Sequence, residues 1–302
     1  MATLGKYALM GGKLVAMNEA NLSVASSAVL YGLSVYSVIF GKHTDKGLVC
    51  FRISDHIERL RQSGNIIGFT NTSELLDGQA FTASLQKLIT ANQPATDQFM
   101  RVTVHATELV PGVRTSNLQL TTSIFMYDAN NILPRSQARI KTSLWRRTAD
   151  TAIPARAKVN GAYVNSALAK QDAIDSGCDD CLFLNQNGYV SELSAANIFM
   201  IKRGELITPD CASDILEGIT RRSLIELARQ QNITVTERKV ALTELYTADE
   251  VFACGTSAFV SPITEIDKRT IGDGTPGTIT KNLRNLLEVE QKNSLSQWTT
   301  VL

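Results

Sequence analysis

The chain has 302 residues, 44% of them hydrophobic and 20% charged, and its 30 basic and 29 acidic side chains leave a formal net charge of +1. That length and balance fit one large or two ordinary globular domains with a sizeable core, and they exclude the charged tail of a protein built for nucleic acid or an acidic membrane surface. No apolar run approaches a membrane span, and Met1-Ala2-Thr3-Leu4-Gly5-Lys6 lacks the core of a secretory leader, so a cytoplasmic protein is expected.

In chain order, Tyr7-Ala8-Leu9-Met10 and Lys13-Leu14-Val15-Ala16-Met17 flank Gly11-Gly12, which predicts a hairpin over residues 6–17. Residues 28–40 and 47–52 are rich in Val, Ile, Tyr and Phe and read as strands around a Lys46-Gly47 turn. A helix is expected over 55–67, with Asp55 and Glu58 at capping-box spacing and Ile57 and Leu60 opening an apolar stripe. A second helix is expected over 73–92. Residues 99–106 alternate, with Val102, Val104 and Ala106 facing one way and Arg101, Thr103 and His105 the other. Strands follow at 117–127 and 138–146. Between them, the polar, proline-ended Asp128-Ala129-Asn130-Asn131-Ile132-Leu133-Pro134 reads as a domain linker.

The second half predicts a helix over 164–176 ended by Gly177. Strands are expected at 180–185, 188–192, 197–202, 205–208, 234–240, 249–254, 259–266 and 269–271, with helices at 218–231 and 279–291. Many short strands without regular strand–helix alternation indicate an α+β fold, not a doubly wound sheet. There is no G-x-G-x-x-G or Walker loop. The five cysteines, an odd number, show no disulfide framework, which points to reduced thiols. Cys178-Asp179-Asp180-Cys181 reads as a loop entering a strand, because two acids between the thiols disfavour a reactive thiolate.

Four features can carry chemistry. Lys158 follows the Ile153-Pro154-Ala155-Arg156 loop and precedes a helix; such a lysine is either a solvated charge or the amine that holds a carbonyl cofactor. Glu192 ends the strand Tyr189-Val190-Ser191-Glu192, and Asn197 starts the next. Gly218-Ile219-Thr220 opens a helix with free N–H groups, and Gly255-Thr256-Ser257 is a second donor-rich turn. Taken singly, each also has a structural reading, as cap, solvated carboxylate or turn. His43, His56 and His105 lie at no metal-ligand spacing. His56 reads as packing or capping near Arg52, and His105 shares a strand face with Arg101.

The ordered set resembles the fold-type IV pyridoxal-phosphate enzymes, which include branched-chain and D-amino acid aminotransferases, R-selective amine transaminases and aminodeoxychorismate lyase. The matching text is Tyr31-Gly32-Leu33-Ser34-Val35-Tyr36, Phe51-Arg52 with His56-Ile57-Glu58-Arg59-Leu60, Lys158 through Tyr163-Val164-Asn165-Ser166, Tyr189-Val190-Ser191-Glu192 with Ala196-Asn197-Ile198-Phe199, Leu216-Glu217-Gly218-Ile219-Thr220-Arg221, and Asp249-Glu250-Val251-Phe252 with Gly255-Thr256-Ser257. The resemblance is closest to the branched-chain branch. It implies a small α/β N-terminal domain at 1–127, a linker at 128–137 and a larger pseudo-barrel domain at 138–302. It also implies a site between the domains and a homodimer or larger assembly.

The same resemblance implies the roles. Lys158 would hold the aldehyde of pyridoxal 5'-phosphate as an imine and move a proton once freed by substrate. Glu192 would face the pyridine nitrogen, with Asn197 beside it; Tyr163 would bond the ring hydroxyl and Leu216 would pack on one ring face. Arg52, Gly218, Ile219, Thr220 and Thr256 would hold the phosphate. Tyr31, Tyr36, Val38, Phe99, Arg101, Arg114 and Ser257 would contact an amino donor and a 2-oxo acid, Ser257 through the α-carboxylate and Arg101 or Arg114 through a distal carboxylate.

The substrate stretch departs from the branch. Tyr36-Ser37-Val38-Ile39-Phe40 replaces the usual Phe-Glu-Gly and following arginine, and Phe99 replaces a tyrosine. The expectation is a branched-chain-like aminotransferase. The alternatives are a D-amino acid or R-selective amine transaminase, or a lyase of the aminodeoxychorismate type.

Overall fold

The structure, a computed structural model, describes residues 3–302. In chain order its elements are β1 (Tyr7–Met10), β2 (Lys13–Ala16), α1 (Ser27–Leu30), β3 (Ser34–Thr44), β4 (Gly47–Phe51), α2 (Ile53–Ile66), α3 (Thr72–Leu75), α4 (Gly78–Asn92), β5 (Gln98–Ala106), β6 (Leu120–Asp128) and β7 (Ala138–Thr142). There follow α5 (Tyr163–Asp175), β8 (Asp180–Leu184), β9 (Val190–Leu193), β10 (Asn197–Lys202), β11 (Glu205–Thr208), α6 (Ile219–Gln230), β12 (Val235–Glu237), α7 (Leu242–Tyr246), β13 (Glu250–Gly255), β14 (Phe259–Ile266), β15 (Arg269–Thr270), α8 (Thr278–Lys292) and β16 (Thr299–Val301). The chain forms two compact units. One comprises Met1–Asn130, Ala157–Ala162 and Glu290–Leu302; the other comprises Asn131–Arg156 and Tyr163–Val289.

The first unit is a seven-stranded antiparallel sheet in the order β16-β4-β3-β5-β6-β1-β2. Its first hairpin turns at Gly11 and Gly12, both at positive φ (55° and 77°), the twist a two-residue turn needs. The alternation in β5 is realised as expected. Val102, Val104 and Ala106 join Val35, Ile39, Ile124 and Met126 in a core completed by Ile57 and Leu60 of α2 and Leu85, Leu88 and Ile89 of α4. The opposite face carries Tyr36, Val38 and Phe40 in register with Thr103, Arg101 and Phe99, and these in turn with Ser123, Phe125 and Tyr127.

Several expectations are corrected. Residues 28–33 are not strand: Ser27–Leu30 is one helical turn, and β3 starts only at Ser34. The 73–92 helix is broken at Leu76, whose side chain is fully buried, and Asp77 caps α4 by accepting the Ala80 N–H at 3.0 Å. The Asp55–Glu58 capping box does not form. Helix α2 begins two residues earlier, with Arg52 as N-cap in the left-handed region (φ 50°, ψ 45°). The terminal strand β16 gives no signal of its own, because three residues of Thr and Val become strand only by pairing with β4.

The second unit holds a nine-stranded mixed sheet. Its order is β12-β11-β10-β13-β14-β7-β8-β9, with β15 on β14, and β12/β11, β14/β7 and β7/β8 are parallel. The sheet curls until β9 packs against β10, the geometry of a partial barrel. Its core is apolar on both sides of β10 and β13: Ile198, Met200, Val251, Ala253 and Ile263 in one cluster, and Phe199 stacked on Phe252 at 5.1 Å. Helix α7 occupies 242–246, where only loop was expected, and the 234–240 strand shrinks to three residues.

The start of α8 is held by Glu250. Its carboxylate accepts the Ile279 and Thr280 N–H groups at 3.0 and 2.8 Å and the Thr280 hydroxyl at 2.6 Å. A Cβ at Gly277 would run into that carboxylate. Gly277→Ala is therefore expected to destabilise the second unit by about 1–3 kcal/mol, from overpacking plus a disturbed cap. Urea denaturation checks it, and a midpoint equal to that of the unsubstituted protein refutes the argument.

Candidate active site

In the first unit the Lys158 segment is stitched to the sheet by backbone bonds. The Lys158 N–H donates to Ser63 Oγ at 3.1 Å, the Tyr36 N–H donates to the Lys158 carbonyl at 3.0 Å, and the Asn160 N–H donates to the Ser34 carbonyl at 2.8 Å. Val35 and Val159 form an antiparallel bridge. Gly32 permits this approach: it has φ 67°, and a Cβ there would stand 2.9 Å from Gly161 Cα. Residues Ala157–Ala162 thus run alongside β3, joined to it by that single bridge and the flanking backbone bonds.

Around the half-buried Lys158 the side chains converge on one ring. Lys158 Nζ lies 4.9 Å from the centroid of the buried Tyr36, and the Arg101 guanidinium carbon lies 3.6 Å from it. Arg101 Nη2 donates to Asn160 Oδ1 at 3.2 Å. Val38 faces Arg101 across the β3–β5 ladder, and Phe40, Phe99 and Tyr127 form a chain of rings, 5.9 and 5.7 Å between centroids. The structure therefore brings Lys158, Tyr36, Val38, Phe99 and Arg101 to one face. Tyr31 caps α1 and is exposed, and Arg114 stands exposed in the irregular loop before β6.

Arg52 is buried at the junction of β4 and α2. Its N–H donates to the Trp298 carbonyl at 2.6 Å, its guanidinium stacks 4.0 Å over the Trp298 ring, and Nη1 meets Asp55 at 3.0 Å. The left-handed backbone of a non-glycine residue costs of order 1–2 kcal/mol, and the Trp298 and Asp55 contacts hold it there. His56 lies in α2, buried, with Nδ1 2.8 Å from Ser37 Oγ, so it packs as expected.

His105 sits between Ser34 Oγ, 3.1 Å from Nδ1, and Ser123 Oγ, 2.8 Å from Nε2. Burial, followed by the Arg101 charge, lowers its pKa to about 4 from the ordinary 6.5. Between those values the unfolded chain binds the proton that the folded ring refuses, so this residue's contribution to stability is lost as pH falls from about 6.5 to about 4. An NMR titration of the His105 ring should show its midpoint near 4; a midpoint at the ordinary value would mean the ring is solvated.

In the second unit, Glu192 ends up buried in β9 with partners on both carboxylate oxygens. Arg147 Nη2 meets Oε1 at 2.8 Å, Asn197 Nδ2 donates to Oε2 at 3.0 Å, and the Leu216 N–H reaches both oxygens at 3.3 Å. Asn197 also donates to the Leu216 carbonyl at 2.9 Å. A Cβ at Gly218 would collide with Asn197 Oδ1, so only glycine fits where the chain turns into α6. Gly218 is the N-cap and makes no side-chain bond, which leaves the Ile219 and Thr220 N–H groups at a positive helix end.

Asn197 pairs with Cys254, and Gly255 lies against Ala195 and Ala196. The Thr256-Ser257 turn therefore shares one end of the sheet with the start of α6. Tyr163 opens α5, half-buried, and Asn165 ties that helix to the preceding loop by donating to the Arg146 carbonyl at 3.1 Å. Within this unit Glu192, Asn197, Leu216, Gly218, Ile219 and Thr220 are contiguous, and Thr256 and Ser257 lie at the same sheet end. Sequence reading missed Arg147, which carries no pattern: it is one of two adjacent arginines, and only the fold shows which one turns inward.

The cysteines are all free. Burial pushes Cys50 up to about 12. It also raises Cys178 and Cys181, and at Cys181 the Asp180 carboxylate adds to the rise. The C-x-x-C text is thus the entry to β8, with thiols held protonated.

The amino-transferase class IV family matches residues 43–266. The chain is 37% identical to a probable branched-chain-amino-acid aminotransferase of Aquifex aeolicus over 92% of its length and 90% of the relative's, and 32% identical to one from Synechocystis over 93% and 91%. Among solved structures it is similar to the branched-chain aminotransferase of Thermoproteus uzoniensis with norvaline (TM-score 0.89, 31% identity, 98% of this chain and 99% of that one). It is also similar to the branched-chain amino acid aminotransferase of Thermobaculum terrenum in its PLP-form (TM-score 0.90, 30% identity, 98% of each chain). With a curled mixed sheet, a lysine pinned to β3 and a family match spanning most of the sequence, the chain belongs to the class IV aminotransferases.

Proposed function

We propose that the protein is a pyridoxal 5'-phosphate-dependent transaminase that moves an amino group between an amino acid of the branched-chain type and a 2-oxo acid. The observation that carries this reading is Lys158 Nζ, set on a backbone bonded at both ends and placed on the Tyr36–Arg101 face. The residues fit the cofactor: a lysine amine, a buried carboxylate held by Arg147, Asn197 and the Leu216 N–H, and a helix start where only glycine fits beside free N–H groups. When bound, the cofactor supplies the carbonyl that accepts the amino group and a ring that stores the electron pair.

The chain's residues supply the rest. Lys158 anchors the group and, once displaced, takes the proton from the substrate Cα. Glu192 would face the pyridine nitrogen and Leu216 would pack on the ring. Tyr163 would donate to the ring hydroxyl. Arg52 from the first unit and Ile219, Thr220 and Thr256 from the second would bind the phosphate, and the Thr256-Ser257 turn would take the α-carboxylate. Arg101 takes a distal carboxylate when the substrate has one, while the half-buried Val38 offers apolar contact to branched side chains, with the buried Phe40 and Phe99 packed beside it in the same sheet.

The active form is proposed to be a homodimer working in the cytoplasm. Supporting the dimer, Leu109 and Val110, exposed, lie on a segment hydrogen-bonded to the chain at Ala25 and Ser27, beside exposed Val24, Val29 and Leu30. No helix among the described residues is long and apolar enough to cross a membrane. The test is a spectral half-reaction screen of the holoenzyme with L- and D-amino acids and R- and S-amines. L-leucine, L-valine and L-glutamate should convert the bound cofactor to its amine form. Conversion only by D-amino acids or R-amines, or no conversion, overturns the proposal.

A further inference from the structure

Arg101 is a half-buried cation on a sheet face, and among the described residues no carboxylate lies within ion-pair distance of it. Its hydrogen-bond partner is the neutral Asn160 Oδ1 at 3.2 Å, and its plane rests on Tyr36, whose ring centroid is 3.6 Å from the guanidinium carbon. A guanidinium has five donors in a planar fork, so most of its capacity is uncommitted and suited to a carboxylate. Asn160 is fixed by its own N–H bond to the Ser34 carbonyl and stands two residues after Lys158, whose Nζ lies 4.9 Å from the same Tyr36 centroid. The proton-handling amine and the spare cation therefore flank one ring, within the span of a short dicarboxylate.

We infer that Asn160 is the residue that sets discrimination between dicarboxylic and monocarboxylic substrates, by holding the Arg101 guanidinium over Tyr36 with a neutral acceptor. The inference rests on the reading that Arg101 takes the distal carboxylate, and it adds a positioning residue to it. The neutrality of the acceptor is the point. An amide oxygen orients the guanidinium without cancelling its charge, so a substrate carboxylate meets a placed, unneutralised fork. A monocarboxylic substrate leaves the cation where it is, supported by the amide dipole and the Tyr36 ring. An acid at this position would pair with Arg101 and close the site to anions, and a methyl group would let the long side chain wander.

The experiment compares KM for 2-oxoglutarate and for 4-methyl-2-oxopentanoate in holoenzyme carrying N160D, N160A or R101A, with thermal midpoints as a folding check. N160D, nearly isosteric, should raise the ratio of the two KM values roughly tenfold or more, because a charge-assisted pair replaces a neutral one. N160A should raise it roughly three- to tenfold through lost orientation. The kcat values should move little in comparison. A ratio that stays within about twofold of the starting value in both Asn160 variants, while R101A raises it, overturns the role of Asn160 alone. A ratio unmoved by R101A overturns the underlying reading of Arg101. Equal changes for both substrates would mark Asn160 as merely structural.

Discussion

Replacing Lys158 with alanine should reduce transamination by roughly 10⁴-fold or more in kcat, the upper range for a general acid–base catalyst, with loss of covalent attachment added. The fold should survive. The bonds that hold this segment run through the backbone, from the Lys158 N–H to Ser63 and from the Tyr36 N–H to the Lys158 carbonyl, and alanine keeps both. The side chain itself is half-buried over a ring and fills no core position. Borohydride treatment followed by mass spectrometry should place a cofactor adduct on Lys158 in the unsubstituted protein and none in the variant. An active Lys158→Ala protein, or an adduct on another lysine, would remove Lys158 from the chemistry.

Removing the Glu192 carboxylate should affect stability as well as rate. Arg147, whose side chain is 13% exposed, would keep its charge without its 2.8 Å partner. The Asn197 amide and the Leu216 N–H would lose an acceptor too. Glu192→Ala is expected to cost about 3–5 kcal/mol, the penalty for one partner of a buried ion pair left alone. For a unit of this size that corresponds to a fall in Tm of roughly 10 °C. Adding Arg147→Met should restore part of the loss, since the stranded charge goes with it. Glu192→Gln keeps the shape and most hydrogen bonds. It should lower kcat by roughly 10²–10³-fold, the range for removing one preorganised electrostatic group, with a smaller fall in Tm. If Glu192→Ala unfolds at the original temperature, the Arg147 pair is not what holds this end of the sheet.

Much of the candidate site was legible because it depends on local text. The Gly11-Gly12 turn, the alternation of β5 and the apolar stripe of α2 follow from periods of two and 3.6 residues and from turn chemistry. Lys158, Glu192, Gly218-Ile219-Thr220 and Gly255-Thr256-Ser257 each stand at a segment boundary that those periods reveal. Where local propensity and tertiary pairing disagree, the sequence misleads. Residues 28–33 carry strand-forming side chains yet begin as the α1 turn, with the Val29 and Leu30 N–H groups donating to the Ser26 carbonyl and the Ser27 N–H to the distant Glu108 carbonyl. The capping-box spacing of Asp55 and Glu58 is overridden because Trp298, from the far end of the chain, holds Arg52 in the left-handed N-cap position and Asp55 pairs with that arginine instead.

By itself, the sequence determined the α+β class, the longer helices and strands and the residue types available for an amine, a carboxylate and two donor-rich turns, since each of these is written in neighbouring residues. Only the tertiary structure decided the partners. It placed Ala157–Ala162 with the N-terminal sheet although the chain there lies well beyond residues 128–137, where the sequence predicts a linker. It set Asn160 under Arg101, Arg147 on Glu192 and Trp298 on Arg52. The physical reason is the range of the forces involved. Turn geometry and hydrophobic period act over a few residues. Ion pairs, ring stacking and β-bridges join residues that no spacing rule connects, and their geometry exists only once the sheets have closed.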